Sequence, residues 1–390
     1  MTLSPFRLLC GVGVLAIFSS TVSKSPALPL LVSHLGGGPA AIGLVASVSA
    51  AAGILFSLPA GILSDRFGRR RMLLAAALIL ATAPFLYPAA GKVWQLMLVR
   101  FYHGLATAIF VPVAMAMVAD LYQTGRGEKM GWFSTATLLG RFSAPAIGGG
   151  VLGLYGTTDA GFRMVYLLCG AMGTLAALGA LLLPGRRAGR AAASVGSAAG
   201  WRSGVRQLLA DRAIMATCGV EGAILFAYGI FETFLPGIGL AAGLDPSRIG
   251  VCLSAQIIAV ALSKPGLGRL SDLHGRPPQI VAGALAGAVC IALFALADSF
   301  PALLGLSILL GVSISVVTSA SAAHIADLSG SGSQGSAMGI LGSIMDIGHS
   351  SGPLLGGLLA ASLGRGASFL GAGAVLTAAA ILFAGMSRRR

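Results

Sequence analysis

The sequence predicts an all-α integral membrane protein, with twelve transmembrane helices in two pseudo-symmetric six-helix bundles. Three observations predict it. Hydrophobic residues make up 56% of the 390-residue chain and charged residues only 10%, against about 25% charged in a soluble domain. The apolar residues fall in runs of about 18 or more, enough to cross a ~30 Å hydrocarbon core. Finally, the stretch Gly61-Ile62-Leu63-Ser64-Asp65-Arg66-Phe67-Gly68-Arg69-Arg70 returns 207 residues later as Gly268-Arg269-Leu270-Ser271-Asp272-Leu273-His274-Gly275-Arg276. A charged, glycine-flanked loop repeated between greasy segments marks a duplicated membrane bundle.

The runs are too long for barrel strands and lack strict alternation, so helices are expected throughout. Span 1 covers residues 6–33; it is too long for a cleavable signal peptide and has no small-residue cleavage site before a polar domain. Span 2 (40–64) ends in the first repeated loop, which leads to span 3 (72–90). Span 4 (93–119) ends at Asp120, and spans 5 (130–154) and 6 (163–183) complete the first half. The second half repeats the plan with spans at 213–239, 247–271, 278–298, 300–326, 335–361 and 366–386. Between the halves lies the one long polar connection, rich in Gly, Ala, Ser and Arg, which reads as a flexible linker at the membrane surface. The expected domains are therefore an N-terminal six-helix bundle at 1–184, a basic cytoplasmic linker at 185–211 and a C-terminal six-helix bundle at 212–390.

Charge placement sets the expected orientation. With both termini in the cytoplasm, eighteen Lys and Arg residues at or beyond the span ends fall on the inner side and four on the outer, a strong positive-inside bias. The net charge of +14 is scattered over short loops. Anionic lipid headgroups account for it, and no nucleic-acid partner is expected. The five cysteines lie inside spans with no CxxC spacing and read as small packing residues.

The halves match beyond the loop. Pro29 and Gly43 recur as Pro236 and Gly250, and Asp120 as Asp327. Gly131, Gly140, Pro145, Gly148 and Gly149 of span 5 recur, at an offset of 208, as Gly339, Gly348, Pro353, Gly356 and Gly357 of span 11. Such agreement means parallel repeats about an axis along the membrane normal.

Over nearly its full length the chain resembles the major facilitator superfamily, and within it the twelve-helix drug/proton antiporters. The loop Gly61-x-x-x-Asp65-Arg66-x-Gly68-Arg69-Arg70 is similar to the family signature between spans 2 and 3. Leu96-x-x-x-Arg100-x-x-His103-Gly104 is similar to a second motif, with His103 in place of the usual Gln. Gly131-x8-Gly140-x3-Ala144-Pro145-x2-Gly148-Gly149 resembles the span 5 motif of proton-linked exporters, with Ala144 in place of Gly. The resemblance implies a bacterial-type inner-membrane transporter that works by alternating access as a monomer, with no cofactor and H+ as coupling ion.

Three groups of residues carry the functional expectation. The first is a conformational latch on the cytoplasmic face: Gly61, Asp65, Arg66, Gly68, Arg69, Arg70 and Asp120, with Asp272 and Arg276 in the second half. Its glycines allow tight turns and close helix contact, and Asp65 is suited to helix-start amides and arginines. The second copy has Leu273, Pro277 and Pro278 where the first has Arg66, Arg70 and Arg71, so the latch is expected to be stronger in the N-terminal half. The second group, Gly140, Pro145, Gly149, Gly352, Pro353 and Gly357, thins and bends spans 5 and 11 for gating.

The third is a set of ionisable residues inside spans: Lys24, Arg100, His103, Arg141, Glu221, Glu232, Lys264, Asp346 and His349. A charge buried in hydrocarbon is costly, so these are expected to line the substrate and proton cavity. Depth along the spans suggests Lys24 with Glu232 and Lys264 with Glu221, with Glu232 or Asp346 as proton carrier. His34 and His274 read as solvated loop residues. The function expected is proton-coupled efflux of a small organic solute. The alternative is uptake or exchange of an organic anion, or of an amphipathic lipid, on Lys24, Arg100, Arg141 and Lys264. No Cys pair, HxxxH or Walker loop points to a metal site, an enzyme or an ATP-driven pump.

Overall fold

The computed structural model describes residues 4–122, 124–184, 208–329 and 334–387. Most of the expected linker, residues 185–207, and the terminal arginines 388–390 lie outside them. The described residues form helices and connecting turns. The first half contains α1 (Pro5–Val22), α2 (Ala27–His34), α3 (Pro39–Phe67), α4 (Arg69–Thr82), α5 (Val93–Leu121), α6 (Arg126–Tyr155) and α7 (Asp159–Leu181). The second contains α8 (Arg212–Ala241), α9 (Pro246–His274), α10 (Arg276–Leu293), α11 (Phe300–Leu328), α12 (Gln334–Leu363) and α13 (Arg365–Ser387).

Most expected spans correspond to one helix. Span 1 is divided into α1 and α2 by a short break around Lys24, and span 3 ends in a 3-10 turn over Ala83–Ala89 that contains Pro84 and Pro88. Starts follow capping chemistry: Ser4, Thr158 and Asp211 each accept a backbone N–H from the first turn of α1, α7 and α8. Among the described residues, ten helical segments are long and apolar enough to cross a membrane. The two expected spans outside that set are α6 and α12, each 30 residues long. Their Gly, Ser and charged residues dilute hydropathy, and they are the helices with the repeated glycine–proline pattern.

The repeated loops are shorter than expected. In the first, α3 runs through Phe67 and α4 begins at Arg69, so only Gly68 is non-helical, at φ 93°. In the second, α9 runs to His274 and α10 begins at Arg276, with Gly275 at φ 86°. A side chain is strained at such φ, which is why glycine stands at both positions. Gly61 has a different part from the one its motif suggests. A Cβ there would meet nothing within 4 Å, so it makes no close helix contact.

The chain divides into two compact units, Met1–Ala192 with Leu244–Ser254, and Ala193–Gly243 with Ala255–Arg390. In the first, two apolar clusters lie along the helices. One is built on Leu9, Leu73, Leu80, Phe110 and Met117, the other on Val22, Leu31, Leu96, Phe162 and Tyr166. In the second, Phe231, Phe294 and Phe369 form an aromatic row with centroid spacings of 5.3 and 5.7 Å.

Repeat symmetry extends to atomic packing. A Cβ on Gly140 of α6 would lie 2.3 Å from the Val14 carbonyl oxygen of α1. A Cβ on Gly348 of α12 would lie 2.1 Å from the Gly222 carbonyl oxygen of α8. Val14 and Gly222 are themselves repeat mates, so the span 1–5 and 7–11 contacts are one interface used twice. Replacing Gly348 with Val is expected to destabilise the protein by about 1–3 kcal/mol through overpacking. Gly61→Ala is expected to change nothing; thermal unfolding of both variants in detergent checks the contrast.

Candidate functional site

The charge cluster expected to act as a latch is built in both halves from equivalent residues. Arg69 bridges Asp65 (Nη2–Oδ1, 2.5 Å) and Asp120 (Nε–Oδ2, 3.0 Å), and also donates to Ser64 Oγ. Arg276 bridges Asp272 (2.5 Å) and Asp327 (3.2 Å) and donates to Ser271 Oγ. One guanidinium thus ties the end of one helix, the start of the next and the end of the helix after that. Its planar fork of five donors permits this, where an ammonium would not suffice. Three expectations are corrected here. The second latch has lost no contact, because Leu273, Pro277 and Pro278 replace residues outside the bridge. Asp65 is engaged by Arg69 and does not cap α4, which starts with no side-chain cap. Arg70 takes no part in the bridge: it donates to the Leu181 carbonyl at the end of α7. Arg66 lies over the Phe67 ring at 5.8 Å. Ser64 and Ser271 carry no charge, and in the sequence only the repeat marks them.

The ionisable residues separate into three settings. In the second unit, Glu232 of α8 is 8% exposed. Its Oε2 lies 3.2 Å from Nε2 of His349 on α12, and the His349 ring stacks on Tyr228 at 5.3 Å. Tyr228 and Glu232 are four residues apart and share a helix face, a spacing present in the sequence itself. The close approach of α8 and α12 brings these groups together: a Cβ on Gly229 would sit 2.7 Å from the His349 carbonyl oxygen. Asp346, one turn before His349, is exposed.

This pair has useful proton chemistry. With Glu232 ionised and His349 neutral, the Nε2–H donates to the carboxylate and the pair carries one negative charge. One added proton leaves the hydrogen bond in place and the pair neutral. Charge can therefore change while the geometry holds.

The second setting is Glu221 of α8, 1% exposed. Its Oε2 is buried, with the Ser321 hydroxyl as its side-chain neighbour. The Lys264 ammonium acts on this carboxyl electrostatically, while Lys264 itself is exposed.

The third setting corrects an expectation. Arg100 and His103 do not line an open cavity. They are 3% and 1% exposed inside the first unit. Tyr87 lies between them: its hydroxyl is 3.2 Å from His103 Nδ1 and accepts from Arg100 Nη1 at 3.4 Å. Tyr87 also stacks on Tyr166 at 4.3 Å. The hydroxyls and ring faces come from spans 3 and 6, which hold no ionisable residue away from their ends and so carried no sequence signal. Arg141 is exposed, and Lys24 is half-buried at the α1–α2 break. His34 is not simply solvated: its Nε2 lies 2.8 Å from Asp159 and its ring tilts onto Phe162.

The gating residues act as packing surfaces. Gly140 lies against α1, and a Cβ on Gly352 would lie 2.3 Å from the Phe226 carbonyl oxygen. Gly149 packs on the first turn of α9, where a Cβ would lie 2.4 Å from the Pro246 carbonyl oxygen. Ser254 Oγ accepts the Ala146 N–H, at 3.0 Å, beside Pro145. These contacts put Leu244–Ser254 in the first unit, a departure from a boundary drawn at the linker. Pro353 touches α8 beside Gly229, and Gly357 is buried.

Comparison with known proteins agrees with this architecture. The family model described as Major Facilitator Superfamily matches residues 9–240 and 221–390. The Multidrug resistance protein MdtG of Escherichia coli is 29% identical over 379 residues, 94% of this chain and 90% of that protein. The Multi-drug resistance efflux pump PmrA of Streptococcus pneumoniae is 33% identical over 158 residues, 39% of this chain; the match spans only 38% of that protein. A crystal structure of a bacterial homolog of the human lysosomal transporter Spinster superposes with a TM-score of 0.85 at 17% identity, covering 98% of this chain and 96% of that one. The chain belongs to the Major Facilitator Superfamily and is a multi-pass membrane transporter.

Proposed function

We propose that the protein exports a small organic compound from the cytoplasm in exchange for protons, by alternating access, with both termini inside. The observation that carries this reading is the Glu232–His349 pair, stacked on Tyr228 within the second unit. A pair that is negative or neutral according to one proton can bind either that proton or a cationic group of a substrate. That competition is what antiport requires. The aromatic ring beside it suits an amphipathic cation. The partial similarity to the efflux pump PmrA, over 39% of this chain, and the span 5 motif support export as the direction. The organic-anion alternative loses support, since Arg100 is buried with its guanidinium on the Tyr87 hydroxyl.

The test is purified protein in liposomes with an imposed pH gradient, offered cationic, zwitterionic and anionic amphipaths of similar size. Gradient-driven accumulation of the cations, with anions left behind, is the expected result. Transport that ignores the gradient for every class would reject proton coupling.

A further inference from the structure

We propose that Glu221 is a second proton-binding site, a switch in the cytoplasmic half of the second unit. In this conformation it is a neutral carboxyl beside Ser321; once its proton leaves, it is a carboxylate paired with Lys264. The switch is separate from the Glu232–His349 exchange and does not depend on it.

Glu221 of α8 is 1% exposed, and Ser321 of α11 is fully buried. Among the described residues Glu221 forms no salt bridge. A bare carboxylate in a protein interior is costly, so an enclosed carboxyl without a paired cation keeps its proton. The Ser321 hydroxyl is the side-chain hydrogen-bond neighbour that this neutral carboxyl needs. One turn nearer the cytoplasm, Cys218 and Ile325 join Ile214 and Leu341 in a buried apolar cluster. Proton exchange therefore requires these helices to part.

The cation for the second state is close by. Lys264 of α9 is exposed, and its ammonium is the charge that acts on the Glu221 carboxyl. Glu221 lies about 14 Å along α8 from its start at Arg212, and Lys264 about 15 Å along α9 from its end at His274. The two are level. Pro265 follows Lys264 inside α9 and removes the hydrogen bond to the Ala261 carbonyl, which makes a weak point there. Outward of it α9 is held on α11, where a Cβ on Gly311 would lie 2.4 Å from the Gln256 carbonyl oxygen. Inward of it α9 leads to Asp272, which is bridged to Arg276. A bend at Pro265 therefore carries Lys264 with the latch end of the helix.

When Glu221 ionises, its O–H bond breaks, the proton passes to cytoplasmic water and the ammonium keeps its three protons. The ion pair replaces the contact with Ser321. Low cytoplasmic pH favours the conformation described here and high pH the paired one. The proton enters and leaves on one side, so the switch adds none to the exchange across the membrane. The other titratable groups on the surrounding elements are Cys218 on α8, His324 one turn beyond Ser321 on α11, and Asp346 and His349 on α12. Asp346 is exposed and His349 meets Glu232, while α10 and α13 carry no carboxylate or histidine. In the first half Gly13 and Val14 stand at the level of Glu221, and Ser57 at that of Lys264, so the switch belongs to one half only.

The test is infrared spectroscopy of the purified protein in detergent, titrated from neutral to alkaline pH. It uses no substrate and no gradient, so its outcome is separate from that of proton-coupled transport. The parent should show the C=O stretch of a buried protonated carboxyl, and alkali should remove it. Glu221→Gln, close in shape to the neutral acid, should fold as the parent does and lack that band. Lys264→Met should keep the band to a pH about one unit higher, because an opposite charge within reach favours ionisation. Hydrogen exchange of the inner part of α9, corrected for the intrinsic effect of pH, should change across the transition in the parent and stay constant in Glu221→Gln. Identical spectra for the parent and Glu221→Gln would overturn the proposal, as would loss of the band in Glu232→Gln instead. So would a Lys264→Met titration that matches the parent, or exchange in inner α9 that follows pH alike in the parent and Glu221→Gln.

Discussion

Glu232→Gln is expected to abolish gradient-driven transport while sparing movement of substrate down its own gradient. Glutamine has the shape of the protonated acid and cannot take up a proton. It still meets His349 Nε2, which lies 3.2 Å from the native carboxylate, so geometry is disturbed little. One proton exchanged per substrate, across one pH unit, supplies about 1.4 kcal/mol, or a tenfold accumulation ratio. The parent should approach that ratio in liposomes, and Glu232→Gln should fall to a ratio of about one. His349→Gln should keep a hydrogen bond and retain coupling, since the carboxylate remains. A tenfold ratio in Glu232→Gln would remove Glu232 as the carrier, and Asp346→Asn would be the variant to measure next.

Arg69→Ala and Arg276→Ala are expected to reduce transport by similar factors. Each arginine makes two carboxylate contacts and one serine contact in the same arrangement. An exposed ion pair contributes only about 0–1 kcal/mol. These guanidinium groups are mostly covered and each holds three partners, so the scale is about 1–3 kcal/mol per latch, a change in rate of about fivefold to a hundredfold. Lysine at either position should not restore function, because a point charge does not span two carboxylates and a hydroxyl. A large loss in Arg69→Ala with none in Arg276→Ala would restore the unequal latch that the eroded second motif suggested.

That erosion shows how far a motif can be read. Arg66, Arg70 and Arg71 against Leu273, Pro277 and Pro278 looked like lost function. The bridge instead uses Ser64, Asp65, Arg69 and Asp120, and all four recur in the second half as Ser271, Asp272, Arg276 and Asp327. The repeat offset held that answer, while the density of charge distracted from it. Tyr228 was legible in the same way, four residues before Glu232. Tyr87 and Tyr166 were not legible. They matter only because the 3-10 turn Ala83–Ala89, α5 and α7 meet around Tyr87, and no spacing within one helix encodes a meeting of three.

By itself the sequence determined the helical membrane class, the duplication and the positions of the spans. Each depends on local physics: the length of an apolar run, the cost of charge in hydrocarbon, and a period kept over 207 residues. Tertiary structure decided which ionisable groups meet. It gave Glu232 a histidine, buried Arg100 on the Tyr87 hydroxyl and set Glu221 beside the Ser321 hydroxyl. Partner choice depends on helix rotation and on approaches of a few tenths of an ångström. Those are set by glycines such as Gly140 and Gly348 packing on another helix, so they appear only once both helices are in place.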